Sequence, residues 1–340
     1  MKVLVTILTS YNIDLLERCV NSIINQYIVP FKYDIKIVVN TLNEKYFPIV
    51  MNKYKNTDIE VIQTESNGYP GKGHNSVFNL FKERTEYNYL MPIDGDDLYY
   101  PSAIVQLAKT FKYKPDIIHL MINDYVTCVN KKIRHIKLSG NFKLYSSIKD
   151  ELNWWEKVIV KNPYKNNIGM CKTPSRIMLA SRNIFNTTIP LIYDEECVLY
   201  DDYISFLSFC ENYFTDQLNV FAISNNDIYC YNATNMDSAS RKFNDNNYNT
   251  LMSKETILFR TKGKKYKNCL QKFEKIDKNW NLTTLPFITL GKNVDFTLRK
   301  KIKFCEENIV QYELQHKAQK ADMYFKQKDY KNAENYYNIL

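Results

Sequence analysis

The sequence predicts an α/β fold: a mainly parallel open sheet flanked by helices, with a helical C-terminal extension. Three observations carry this expectation. Over roughly the first 120 residues, short β-branched and aliphatic runs alternate with segments whose apolar residues recur at helical spacing. Most runs end in a polar, glycine-containing or acidic turn, and open α/β sheets bind ligands at that end of their strands. Beyond Arg241 the sequence turns Lys-rich with helical periodicity. The division expected is 1–241 for the α/β part and 242–340 for the extension.

Residues 3 to 9 are a β-branched and aliphatic strand, and Ser10-Tyr11-Asn12 is the loop after it. Asp14 with Glu17 has the look of a capping box, after which Leu15, Leu16, Cys19, Val20, Ile23, Ile24 and Tyr27 repeat at helical spacing. A second strand, Ile35 to Val39, ends at Asn40-Thr41 and completes a strand–helix–strand start. A helix over 44–56 and a strand Ile59 to Ile62 follow. Asn67 to Asn75 concentrates three of the eight glycines before a helix containing Val77, Leu80 and Phe81. Glycine-rich backbone feeding a helix N-terminus suits an anionic ligand, although an unliganded turn has the same composition. Neither G-x-x-x-x-G-K-[ST] nor G-x-G-x-x-G occurs in this segment.

Tyr87 to Ile93 is a buried-type strand, Pro101 opens a helix running to about Lys112, and Asp116 to Met121 is a further buried strand. Strands are expected near Val126 to Val129 and Ile133 to Lys137. Of the adjacent Trp154 and Trp155, at least one belongs to the core, since neighbours on one element point in different directions. Ile177 to Ala180 is strand-like, Ser181 to Phe185 helix-like, and Ile204, Phe206, Leu207 and Phe209 indicate a buried helix after Asp201-Asp202.

The 340 residues are enough for a sizeable core and about two domains. Eight cysteines are scattered without a Cys-x-x-Cys pair or zinc-ligand spacing, which argues against a disulfide framework or structural zinc and for a reducing, cytoplasmic setting. The opening Val3 to Leu8 is too short for a signal-peptide core, and no apolar run reaches the ~18 residues of a membrane span. The formal charge of +9 is dispersed, and no aromatic-basic motif marks a nucleic-acid binder. A membrane-surface or protein partner, if there is one, is assigned to the C-terminal region.

Chemistry concentrates where the Tyr87–Ile93 strand ends in Asp94-Gly95-Asp96-Asp97. Three carboxylates in four positions repel, and a hard divalent cation with oxygen ligands, Mg2+ or Mn2+ on a diphosphate, is the usual remedy. A solvated acidic turn is the alternative. Asp194-Glu195-Glu196 and Asp201-Asp202 form two more acidic groups, the second at a helix start, where the dipole favours carboxylates and a general base would also fit.

Taken together, these segments resemble the inverting glycosyltransferases of family 2, which have the GT-A fold. Val5 to Asn12 resembles that family's first strand and its Thr/Ser-Tyr-Asn turn, and Ser22-Ile23-Ile24-Asn25-Gln26 the Ser-x-x-x-Gln end of its first helix. Gly71 to Ser76 resembles the Gly-Lys-Gly segment near the nucleotide, and Asp94-Gly95-Asp96-Asp97 the Asp-x-Asp-Asp motif. Ser181 to Phe185, Tyr193-Asp194-Glu195, Tyr200-Asp201-Asp202 and Tyr229-Cys230-Tyr231-Asn232 with Ser238 to Arg241 resemble later motifs in the same order. There are two departures: Asn40 stands where the family has a base-recognising Asp, and Thr234 and Asn235 where a His is common.

The resemblance implies a nucleoside-diphosphate sugar donor, UDP-sugar favoured, and an acceptor hydroxyl on a glycan, lipid or protein. It implies Thr9, Tyr11, Asn40, Gly71, Lys72, Asn75, Asp94 and Asp96 as donor-binding residues. Asp96 and Asp94 would hold Mn2+ or Mg2+. Asp202 would be the catalytic base, with Asp201 as the fallback and a helix N-cap as the non-catalytic alternative for Asp202. A catalytically silent binding module that kept the fold is the competing reading. In the extension, Ala318, Ala321, Tyr324, Phe325, Tyr330, Ala333, Tyr336 and Tyr337 resemble one tetratricopeptide unit, which either packs on the rest or is continued by further repeats.

Overall fold

The computed structural model describes residues 1–27, 29–121, 124–129, 132–137, 175–198, 201–224 and 228–232, with scattered positions between 254 and 328. Its centre is a seven-stranded sheet. Strands β1 (Lys2–Thr9), β2 (Lys32–Asn40), β3 (Glu60–Thr64) and β4 (Tyr89–Asp94) form one half, all parallel, with β1 between β2 and β4. Helices α1 (Ile13–Ile24), α2 (Tyr46–Tyr54) and α3 (Pro70–Glu83) connect them. The chain then forms the short strand β5 (Leu98–Tyr99), helix α4 (Ala103–Ala108), strand β6 (Ile117–Met121) and the hairpin β7 (Asp124–Val129) with β8 (Lys132–Lys137).

Strand β9 (Ser175–Ser181) inserts antiparallel between β4 and β6. Helix α5 (Asp201–Phe214) follows, then β10 (Val220–Ser224), parallel to β6 at the sheet's edge, and β11 (Tyr229–Cys230), which pairs antiparallel with β5. The order across the sheet is β10-β6-β9-β4-β1-β2-β3. Four of these six pairings are parallel, so the expected mainly parallel open sheet is present, with β9 as the antiparallel exception.

Strand alternation divides the core between the two faces. Val3, Val5 and Ile7 join Leu16, Cys19, Val20 and Ile23 of α1 and Val50 of α2 on one side; Leu4 and Leu90 join Val77, Phe78 and Phe81 of α3 and Ile204 and Phe209 of α5 on the other. Each such aliphatic side chain contributes about 1.5–3 kcal/mol on burial, which outweighs the weak intrinsic preferences of these short helices. The cap of α1 is Asn12, not Asp14: at φ 60°, its carboxamide oxygen accepts from Asp14 N at 3.1 Å and Leu15 N at 3.2 Å. Asn tolerates that left-handed backbone, and its side chain reaches the exposed N–H groups that Asp14, already inside the helix, cannot.

Residues beyond 241 touch this frame. Tyr266 and Leu290 belong to the two core clusters, Glu255 accepts from Val198 N at 2.8 Å, Phe304 packs on Tyr100 at 5.5 Å, and Arg18 donates to Asn308 O. Ala321 is fully buried. Trp154, Trp155, Tyr200, Thr234, Asn235, Ser238 to Arg241 and the repeat-like positions Tyr324, Phe325, Tyr330, Ala333, Tyr336 and Tyr337 lie outside the described residues. Among the described residues no helix is long and apolar enough to cross a membrane.

Candidate active site

Parallel β1, β2 and β4 end at Thr9, Asn40 and Asp94, so these residues share one edge of the sheet. After Asp94 the chain folds back against β1. Gly95 N donates to Leu8 O at 2.7 Å, and a Cβ on Gly95 would stand 3.1 Å from Leu8 O and from Thr9 Cβ. Close approach explains this glycine. Its φ is not in the left-handed region, where Gly68 is the only described glycine.

Asp94, Asp96 and Asp97 each present a carboxylate oxygen within 4.8 Å of the others. Asp97 is buried and committed on both oxygens: it accepts from Tyr229 Oη at 2.5 Å and from Asn232 N at 2.8 Å. Tyr11 Oη reaches Asp96 Oδ2 at 3.5 Å, and Arg176 Nη1 donates to Asp94 Oδ2. Burial pushes Asp94 up, but Arg176 and then His74 outweigh it and hold the carboxyl below the usual range. Burial wins at Asp97, with Asp96 and Asp94 adding to it against the pull of Arg176, and its pKa is raised to about 8. The donor set is all oxygen, which suits a hard divalent cation. With Asp97 engaged elsewhere, Asp94 and Asp96 are the residues that fit one.

A second cluster faces the first. His74 on α3 and Asp201 and Asp202 at the start of α5 present ligand atoms within 4.8 Å of one another. The His74 ring stacks on Tyr193 at 4.5 Å, and Asn75 holds Tyr193 by its backbone, Nδ2 donating to Tyr193 O at 3.0 Å and Oδ1 accepting from Tyr193 N at 2.8 Å. Burial raises the pKa of Asp202, with a smaller push from Asp94 and opposing pulls from Arg176 and His74. Asp201 is raised well above the usual range by burial and then by Asp202. A cleft of about 430 Å3, including its open mouth, is lined by His74, Asp94, Arg176, Tyr193, Asp202 and Tyr229 over an apolar floor of Leu8, Val77 and Phe78. Asp94 and Asp202, 108 positions apart in the sequence, therefore border one space.

Thr9, Tyr11, Asn40, Gly71, Lys72, Asn75 and Asp96 are not among the residues that line this cleft. Thr9 Oγ1 is 2.8 Å from Tyr46 Oη; Asn40 Nδ2 donates to Thr64 Oγ1 and Glu65 O, both at 2.9 Å. Lys72 pairs with Glu65 at 3.0 Å, and Asn75 is bound to Tyr193 and to Glu195 Oε1 at 2.8 Å. The glycine-rich segment is not a loop: α3 begins at Pro70, so Gly71 to Asn75 form its first turns. A Cβ at Gly71 would lie 1.9 Å from Asp194 O, so glycine there lets the Asp194–Glu195 backbone cross the helix. Lys262, from beyond residue 241, fixes the same segment by binding Asp194 Oδ2 at 2.5 Å and Glu196 Oε2 at 2.6 Å.

Neither Arg176 nor His74 is among the site residues expected from the sequence. For Arg176 the signal was a charged residue at the head of an apolar strand; for His74 it was the helical spacing from Pro70.

A family model described as Glycosyl transferase family 2 matches residues 5–173. No curated protein matches this chain. Solved structures that resemble it include S. aureus TarS, at 18% identity and a TM-score of 0.44, covering 71% of this chain and 38% of that one. TarS 1-349 in complex with UDP-GlcNAc matches at 16% identity and 0.47, covering 99% and 90%, and TarS 1-349 in complex with UDP at 19% and 0.43, covering 68% and 60%. The first of these matches thus spans well under half the length of its relative.

Proposed function

This chain belongs to glycosyl transferase family 2, as its match over residues 5–173 shows, and from that premise we propose that it is an inverting transferase of the GT-A fold. It moves a sugar from a nucleoside-diphosphate sugar to a hydroxyl of a glycan, lipid or protein. The observation that carries this reading is that Asp94 and Asp202 line the same cleft.

In the reaction proposed, the acceptor oxygen attacks the anomeric carbon while the bond from that carbon to the diphosphate oxygen breaks. The electron pair leaves with the diphosphate. Asp202 takes the acceptor's proton, a role for which burial suits it by raising its affinity for a proton above that of an ordinary carboxylate. Asp94 and Asp96 would hold a divalent cation, Mn2+ or Mg2+, which when bound supplies Lewis-acid stabilisation of the leaving charge. Displacement in one step from the side opposite the leaving group inverts the anomeric centre.

UDP-sugars are the favoured donors. Asn40 Nδ2 is held by Thr64 and Glu65, which leaves its Oδ1 as an acceptor for a nucleobase imide N–H such as that of uracil. Thr9, Tyr11, Gly71, Lys72 and Asn75 complete the proposed donor site, some by contact and others by fixing the segments around it. Gly71 and Asn75 act on the segment 193–195. Screening nucleotide-sugars for Mn2+-dependent hydrolysis, then repeating the best with Asp96→Ala and Asp202→Asn, tests the assignment. Both variants are expected to lose activity; unchanged activity in both would overturn it.

A further inference from the structure

The acidic trio has a counter-charge built into the chain. Strand β9 pairs antiparallel with β4 at Tyr89–Ser181 and Leu90–Ala180, and from the start of β9 Arg176 reaches Asp94 at the end of β4. Arg176 Nη1 donates to Asp94 Oδ2, and Nη2 stands 3.5 Å from Asp97 Oδ2. The guanidinium carbon lies 5.6 Å from the Tyr229 ring centre and 5.5 Å from that of Tyr231, so two aromatic faces steady the group. Arg176 lines the cleft, and its buried Nε has no hydrogen-bond partner.

A cation that touches two carboxylates, is steadied by rings rather than by further hydrogen bonds, and keeps a spare donor is suited to a second anion. We propose that Arg176 is a resident counter-cation of the donor site: it shares Asp94 with the divalent cation when the site lacks donor, and it binds the diphosphate when a nucleotide-sugar docks. This inference rests on the sugar-nucleotide reading above. Its consequence has two opposite signs. Two positive charges drawn to one carboxylate weaken each other's binding, whereas a guanidinium facing a diphosphate strengthens it.

Calorimetry on the full chain tests this with two probes, Mn2+ alone and UDP in EDTA, on wild type, R176Q and R176K. R176Q is expected to bind Mn2+ several-fold tighter and UDP in EDTA about tenfold weaker, a reversal that general loss of structure cannot produce. R176K keeps the charge without the planar fork, so its Mn2+ affinity should stay near wild type while UDP binding in EDTA falls several-fold. Should R176Q not fold, R176K decides alone: weakened UDP binding with wild-type Mn2+ binding supports the proposal, and unchanged UDP binding overturns it. UDP affinity in EDTA that is unchanged in R176Q, or Mn2+ affinity that fails to rise, also overturns it. Wild type that binds no UDP with or without Mn2+ instead contradicts the sugar-nucleotide reading.

Discussion

Asp202→Asn removes a charge while nearly preserving shape, so it isolates the proton-accepting role assigned to this carboxylate. Asp202 lines the cleft with Asp94, and its carboxylate lies within 4.8 Å of ligand atoms on His74 and Asp201. General-base catalysis contributes about 100- to 10,000-fold. At 1.36 kcal/mol per tenfold, the lost transition-state stabilisation is roughly 3–5.5 kcal/mol. The loss should fall on kcat, because the base meets the acceptor rather than the nucleotide. Stability should not drop, since burial disfavours the charge on Asp202 that the substitution removes. The assay is initial-rate transfer from the best UDP-sugar, with UDP affinity measured alongside by calorimetry. pH supplies a second readout. A base must be unprotonated, and burial lifts Asp202 above the ordinary Asp pKa of about 3.9, so wild-type kcat/KM should fall with decreasing pH through a limb above that value. The variant's residual rate should lack that limb. A loss under about tenfold with the acid limb intact, or UDP affinity falling as far as kcat, would refute the reasoning.

Gly71→Ala should lower the denaturant midpoint by the equivalent of about 1–3 kcal/mol, because the new Cβ would meet the Asp194 backbone at 1.9 Å. Gly73→Ala, whose nearest contact is the movable Leu8 side chain at 3.1 Å, should cost less; equal losses would count against this account. Asn12→Ala should cost about 1 kcal/mol in the same unfolding measurement through loss of the α1 cap, plus strain at φ 60°, while Asn12→Gly should cost only a few tenths. Asp194 is held below the usual carboxylate range because its bonds from Lys262 and Glu196 N outweigh burial. A lowered folded-state pKa gives stability that is present above the unfolded value and lost as pH falls through the folded one. Stability measured from about pH 5 to pH 2 should therefore decline less steeply in Lys262→Met than in wild type, and parallel curves would show that the pair contributes nothing.

What could be read from the sequence is what depends on near neighbours. Alternating apolar runs gave away β1 to β4 and the helices between them, because strand and helix periods are local properties. Asp94 to Asp97 and Asp201-Asp202 stood out because a run of buried-type residues does not end in several carboxylates without cause. The first turns of α3 were misread as a loop because glycine disfavours helix, and the reason for Gly71 lies in the Asp194 backbone, far along the chain. The contact of Arg176 with Asp94 depends on the insertion of β9 between β4 and β6, an ion pair across 82 positions that no local pattern encodes. The tie from Lys262 to Asp194 spans 68 positions and is hidden for the same reason.

The anomeric configuration of the first product tests the central claim most directly. The transferred sugar, followed by proton NMR as it forms from an α-linked UDP-sugar, should appear first as the β anomer, as single displacement with Asp202 as base requires. An α-linked first product would contradict the proposed mechanism.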